Sequence, residues 1–166
     1  MRSVPALPSI FVLAIACVAA GCGGKSNTTT TEAAGTPYPV AAKMDTAQQV
    51  PKPKDAEKAS GTFGGTMTVG PSGGTLDWRL KLKGLSGPAT AAQIHLGGPR
   101  KVGVVAVTLC TPCARDAHGS LGANAGLLLA LVDRPSYVSV QTKRNPKGEI
   151  RGRIVVTKPV GASGSG

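Results

Sequence analysis

The sequence predicts an all-β fold, an antiparallel Greek-key sandwich or barrel with one short helix. Leu76, Trp78, Leu80 and Leu82 alternate with polar residues, as in a half-buried strand. Glycine (23) and proline (13) are abundant, which favours turns and short strands over long helices. Turn signals also recur at short spacing along residues 38–160, a pattern typical of sandwiches and barrels.

The first half of the domain contains three predicted strands. Residues 40–46 are predicted to form an edge strand, and residues 60–69 place apolar side chains at every second position. Residues 71–74, Pro-Ser-Gly-Gly, form a turn before the cleanest alternation in the chain at residues 75–82. Trp78, the only tryptophan, is predicted to be a core anchor there.

The second half contains two more predicted strands and then a helix. Residues 90–97 and the β-rich run at 102–109 are predicted to be strands. Residues 124–133 are rich in alanine and leucine, which favour a helix. Asn124 is suited to cap that helix, and Pro135 stops its extension.

The last predicted elements form a hairpin. Residues 137–142 favour a pleated strand, and Asn145 to Gly148 supply turn chemistry. Residues 149–154 alternate again, with Arg151 and Arg153 on the face opposite the isoleucines. The hairpin is therefore predicted to have a basic outer face.

This hairpin resembles the end of the CHRD domain, a family common in bacterial secreted proteins. The matching residues are YVSVQT at 137–142, Asn145-Pro146, and GEIRG at 148–152. The resemblance extends over residues 40–156, with a further similar strand at 90–97. It implies a β fold of superoxide-dismutase-like or immunoglobulin-like type and an exported location, but no defined activity.

The amino-terminal residues are predicted to be a lipoprotein signal peptide. Arg2 precedes a short apolar segment that ends in Ala-Ala-Gly before Cys22, the predicted lipidation site. The alternatives are ordinary cleavage without a lipid, or use of Cys17. The predicted organisation is a signal peptide at 1–21, a disordered tether at 22–37, the CHRD-like domain at 38–160 and a flexible tail at 161–166.

The formal charge of +11 predicts an anionic environment for the protein. The predicted anionic-surface patch consists of Lys143, Arg144, Lys147, Arg151 and Arg153. The alternative is a solvated face that maintains solubility. Export makes nucleic acid the least favoured partner, so the predicted contacts are the membrane through the anchor and anionic envelope polymers or an envelope protein. The protein is predicted to be a monomer.

His95 is the first candidate for metal chemistry. The CHRD resemblance implies further histidines in this strand and in the closing strand, but Gln93 and Gln141 stand at the matching positions. Amides are poor ligands for borderline metals and keep hydrogen-bonding capacity. His95 is therefore predicted to be a structural or surface hydrogen-bonding residue, with metal contact as the alternative.

Cys110 and Cys113 form the second candidate, a CxxC motif. In an oxidising compartment a local structural disulfide is the default. A redox pair is one alternative, and a metal site with His118 or His95 is another.

The sequence contains no recognised catalytic motif, such as a Gly-x-Ser-x-Gly elbow, a phosphate loop or paired carboxylates. Glu149, beside Arg151, is predicted to be a cross-strand or turn partner. The predicted role is therefore non-enzymatic binding or scaffolding at the cell surface, without a cofactor. The alternatives are a metal-binding or redox protein, and an enzyme whose active site the sequence does not reveal.

Overall fold

A computed structural model describes residues 35–159. The predicted signal peptide, the lipidation candidates Cys22 and Cys17, most of the tether and the tail lie outside these residues. Within residues 35–159, no helix has the length and apolarity needed to cross a membrane.

The described residues form nine strands and one helix. The strands are β1 (Thr36–Asp45), β2 (Ser60–Val69), β3 (Gly73–Lys83), β4 (Ala89–Leu96), β5 (Val104–Cys110), β6 (Asp116–Asn124), β7 (Ser136–Thr142), β8 (Ile150–Arg153) and β9 (Val155–Val156), and the helix is α1 (Ala125–Asp133). The first strand begins two residues before the predicted start of the domain.

All nine strands belong to one antiparallel sheet. Eight follow the order β5-β4-β7-β8-β1-β2-β3-β6, and the short β9 pairs with β1. Neighbours that are distant in the chain, such as β3 and β6, require crossover connections, as in a Greek key. The sheet curls into a nearly closed barrel, with β5 and β6 as its two edges. The all-β prediction is confirmed.

The core fills the barrel interior and follows the predicted alternation. Leu76, Trp78, Leu80 and Leu82 of β3 are buried, whereas the residues between them are exposed. Side chains from β7 and β8 meet them from across the barrel, because alternate residues of every strand point inward. Trp78 is 6% exposed, so its predicted role as a core anchor is confirmed.

Helix α1 forms where the alanine- and leucine-rich run predicts it. The Asn124 side chain accepts a hydrogen bond from the amide of Leu127, 2.9 Å away, and thereby caps the first turn. Leu128 and Leu131 are buried against the core cluster. The cap and the apolar face together confirm this prediction.

Strand β6 was not among the predicted strands. It pairs along its whole length with β3, from Asn124 opposite Gly73 to Asp116 opposite Lys81. Its inward positions include Ala117 and Gly119, and residues this small do not produce a clear apolar alternation in the sequence. The neighbouring strand, rather than local propensity, determines its conformation.

Candidate binding site

Two polar centres lie at opposite ends of the closing hairpin of β7 and β8. The centre at the turn is built around Glu149, whose side chain is fully buried. Its carboxylate accepts hydrogen bonds from the Ser86 amide (2.6 Å), the Ser86 hydroxyl, the Thr142 hydroxyl and the Asn145 side-chain amide (3.0 Å). Glu149 is thus a turn partner, and not the partner of Arg151.

These bonds determine the ionisation of Glu149. Burial raises the pKa of Glu149, but the hydrogen bonds from Ser86, Thr142 and Asn145 outweigh it and hold the pKa below its ordinary value. Asn145 also bonds both the amide and the carbonyl of Lys54, at 2.8 Å and 3.1 Å. This centre at the turn therefore joins three separate segments of chain around one carboxylate.

The centre at the other end is a stack of three side chains from three adjacent strands. The rings of His95 and Tyr137 are parallel, with centroids 4.8 Å apart. The Arg151 guanidinium carbon lies 3.3 Å from the centroid of the Tyr137 ring. Such a cation–π contact is strongest where the cation is desolvated, and Arg151 is only 4% exposed.

Each member of the stack also holds the loop at residues 97–103. Arg151 donates to the carbonyls of Gly98 and Lys101, both at 2.9 Å. The Tyr137 hydroxyl accepts from the Gly103 amide at 2.9 Å. His95 Nδ1 lies 3.2 Å from the Gly103 carbonyl, which can only accept, so Nδ1 carries the proton. We call residues 97–103 the clamped loop.

The surroundings of His95 favour its neutral form. Burial lowers the pKa of His95 most, the bond to Gly103 opposes this, and the nearby Arg151 charge lowers the pKa further. The other ring nitrogen, Nε2, is buried and has no hydrogen-bond partner among the described residues. His95 is therefore built into the fold as an uncharged support.

A cleft of about 300 Å³ opens between the clamped loop and the end of the hairpin. Tyr137 and Arg151 line it, together with the exposed residues Arg100 and Arg153. Arg100 has a φ of 57°, in the left-handed region. Asp45 also lines the cleft, but its carboxylate accepts from the backbone amide and the side chain of Gln48. The cleft therefore combines an aromatic wall with guanidinium groups from two elements.

The structure divides the predicted anionic-surface patch. Lys143, Arg144 and Lys147 are exposed at the turn, where Arg144 pairs with Asp55 at 2.8 Å. Arg153 lies at the opposite end of the hairpin. The outer-face assignment of Arg151 is correct, but its expected exposure is wrong, because the clamped loop covers it.

The candidate metal residues are not gathered into one cluster. Within residues 35–159, no group of three or more His, Cys, Asp or Glu side chains is placed to hold a metal ion. Gln141 donates to Gln93 at 2.9 Å, so the two amides pair with each other beside His95. His118 is exposed on the edge strand β6.

Cys110 and Cys113 form a disulfide, which confirms the predicted pairing. The Cys113 amide donates to the Ala89 carbonyl of β4 at 3.2 Å. The disulfide thus links the end of β5 to a loop residue that is itself bonded to β4.

Sequence reasoning missed the clamped loop and the stack beneath it. Sequence patterns predict strand for both ends of this loop, although Gly97-Gly98-Pro99 is a turn signal. The stack has no local signal, since His95, Tyr137 and Arg151 become neighbours only through the pairing of β4 with β7 and of β7 with β8.

Comparison with known proteins agrees with this architecture. The CHRD domain family matches residues 40–154, which is more than half of the chain and includes all three members of the stack. No curated protein and no solved structure matches the chain. The chain therefore belongs to the CHRD domain family, a membership that suggests a non-enzymatic binding domain.

Proposed function

We propose that this protein is an exported lipoprotein whose CHRD domain binds anionic polymers of the bacterial cell envelope. The observation that carries the proposal is the clamped loop with its adjacent cleft. Guanidinium groups match carboxylate and phosphate geometry and are weakly hydrated, which suits them to anionic polymers.

The hydrogen bonds that hold the clamped loop explain how an exposed loop can be a binding element. Hydrogen bonds with Arg151 and Tyr137 fix its backbone, so little conformational entropy remains to be lost when Arg100 engages a ligand. Arg153 lines the same cleft at the end of β8, where its backbone amide donates to the Gln48 side chain at 3.2 Å. A preorganised pair of cations is better suited to a repeating polyanion than scattered surface lysines are.

The anchor is part of the proposal. Lipidation of Cys22 holds the domain at the membrane, and the intervening tether allows the domain to reach the surrounding polymer. A positively charged chain is also attracted to such surroundings over several ångströms, in a manner that salt screens.

Binding of polyglycerol phosphate to the full chain tests the proposal. We expect saturable binding that weakens as salt rises, because the contacts are ionic. Replacing Arg100 and Arg153 together by alanine should weaken the binding by about tenfold or more, since each charged hydrogen-bonding group contributes on the order of 1 kcal/mol.

Arg79→Ala combined with Lys81→Ala is the matched control. It removes two exposed cations from β3 and gives the same net charge as the double cleft variant. Equal loss of binding in both double variants would show a general charge effect and would overturn the cleft as the site. Preference for phosphatidylglycerol vesicles over the polymer would assign the surface to the membrane.

A further inference from the structure

The barrel has an open seam between its two edge strands, β5 and β6. Among residues 35–159, each of them pairs on one side only, β5 with β4 and β6 with β3. The free edge of β6 is nine residues long and contains neither proline nor lysine, two residues that commonly block an edge. On β5, Val104 is 70% exposed. The seam therefore presents unpaired backbone and apolar side chains together.

The loop at residues 111–115 keeps the seam open. These residues connect β5 directly to β6, which would ordinarily allow the two strands to pair as a hairpin. The Cys113 amide instead donates to Ala89 of β4, and the Arg115 carbonyl accepts from Leu82 of β3 at 2.8 Å. The loop thus crosses the end of the barrel and attaches to the strand beyond each edge.

Two cavities lie along the seam. One, of about 460 Å³, is lined by Trp78, Leu109 and Leu121 among others, and it lies toward the disulfide. The second, of about 180 Å³, lies toward helix α1 and also contacts Leu121. They follow the free edge of β6 and have a largely apolar lining. An extended segment placed there would have recesses for its alternate side chains.

One buried donor in the seam has no acceptor among residues 35–159. Trp78 lines the larger cavity, and its Nε1 is buried without a hydrogen-bond partner among the described residues. A buried indole N–H ordinarily finds an acceptor. A peptide carbonyl is an acceptor of the required kind, and the same ligand would satisfy the free edge of β6.

We propose that the seam binds an extended segment of an acidic partner protein by strand addition. The segment pairs its backbone with β6, places alternate apolar side chains in the two cavities, and offers a carbonyl to Trp78. Its acidic character follows from charge: the chain carries +11, and Arg79 and Lys81 are exposed on β3 directly beside β6. Asp77 and Asp116 on the same face balance these two cations, but Lys83 of β3 and Arg115 next to β6 are also exposed, so positive charge remains in excess along this edge.

The probe is a blocked decapeptide of alternating valine and glutamate, added to the full chain. Because Trp78 is the only tryptophan, its fluorescence emission reports directly on the seam. We expect saturable changes in that emission, and amide shifts in NMR spectra concentrated on β5 and β6. A peptide with two central prolines should bind at least about tenfold more weakly, because proline removes the backbone donors that strand addition needs.

Two variants in the seam test whether the peptide lies beside β6 and Trp78. Calorimetry measures their affinities for the peptide. Trp78→Phe keeps a ring but removes the N–H, and should weaken binding by about fivefold. Gly119→Ala places a methyl group 3.0 Å from the Trp78 ring and should also weaken binding. Gly87→Ala, in the loop between β3 and β4 and outside both cavities, meets nothing within 4 Å and should leave the affinity unchanged.

Each contrary outcome overturns the proposal. Equal binding of the proline peptide would exclude backbone pairing, and unchanged affinity in Trp78→Phe would exclude the carbonyl contact. Absence of any change in Trp78 emission and in the β6 amides would remove the site. Self-association of the chain through the same edges in sedimentation, without peptide binding, would assign the seam to a second copy instead.

Discussion

The two ends of the closing hairpin use buried charge in different ways. At the turn, the Glu149 carboxylate accepts bonds from Ser86, Thr142 and Asn145, and these partners are part of the fold. At the other end, Arg151 donates to Gly98 and Lys101, which belong to an exposed loop. We call these the turn centre and the loop centre. The first joins interior segments, whereas the second holds a binding element in place.

The difference shows why similar burial implies different roles. Removing Glu149 would leave several interior donors without an acceptor, so its loss should affect the whole fold. Removing Arg151 would free loop carbonyls that water can reach, so its loss should affect the loop first. Stability measurements therefore test the turn centre, and loop dynamics and binding test the loop centre.

The largest expected effect is on the turn centre. Glu149→Ala should lower the free energy of unfolding by about 3 kcal/mol, because it leaves buried donors unpaired. Urea denaturation measures the change. Glu57→Ala removes an exposed carboxylate and should change stability by less than about 0.5 kcal/mol. Equal effects of the two substitutions would show that the hydrogen bonds of Glu149 do not stabilise the fold.

The next effect is on the loop centre. Arg151→Lys keeps the charge but loses the planar fork that reaches two carbonyls, and should cost about 1–2 kcal/mol. More informatively, hydrogen exchange at the Gly103 amide should accelerate well beyond the change in global stability. Arg153→Lys, on the same strand but exposed, should leave that exchange rate unchanged. Uniform acceleration across the barrel would show that Arg151 supports the fold as a whole.

The smallest effect is a pH dependence that separates the two centres. The folded-state pKa of His95 lies below its ordinary value of 6.5, so protonation favours the unfolded chain. The stability that the neutral His95 contributes above pH 6.5 should therefore be lost as the pH falls through the folded-state pKa of His95. The pKa of Glu149 is likewise lowered, from 4.5, so the turn centre should lose stability only in more acidic solution.

Unfolding midpoints measured from about pH 8 to about pH 3 check this order. His95→Phe keeps a ring for the stack. It should remove the loss of stability at higher pH and leave the loss in more acidic solution. If both losses of stability persist in that variant, the one at higher pH belongs to a different group.

Much of the fold follows from the sequence because its signals are local. The alternation of β3, the Asn124 cap and the hairpin turn each depend on a few consecutive residues. Strand β6 lacks such a signal because its inward-facing residues are small. Its extended backbone results from pairing with β3.

The candidate site was less predictable, because it is assembled across strands. Alternation correctly places Arg151 on the outer face of β8, but it contains no information on what covers that face. The covering loop and the stacked Tyr137 come from other parts of the chain, and only the strand register brings them to Arg151. Exposure of a charged residue is therefore a tertiary property that local pattern does not determine.

The central claim is that ligand binds at the loop end of the hairpin rather than at its turn. NMR titration of the full chain with polyglycerol phosphate tests it most directly, because both ends are mapped in one experiment. We predict amide shifts at residues 97–103 and at Arg153, with little change at residues 143–147. Shifts confined to residues 143–147 would contradict the account.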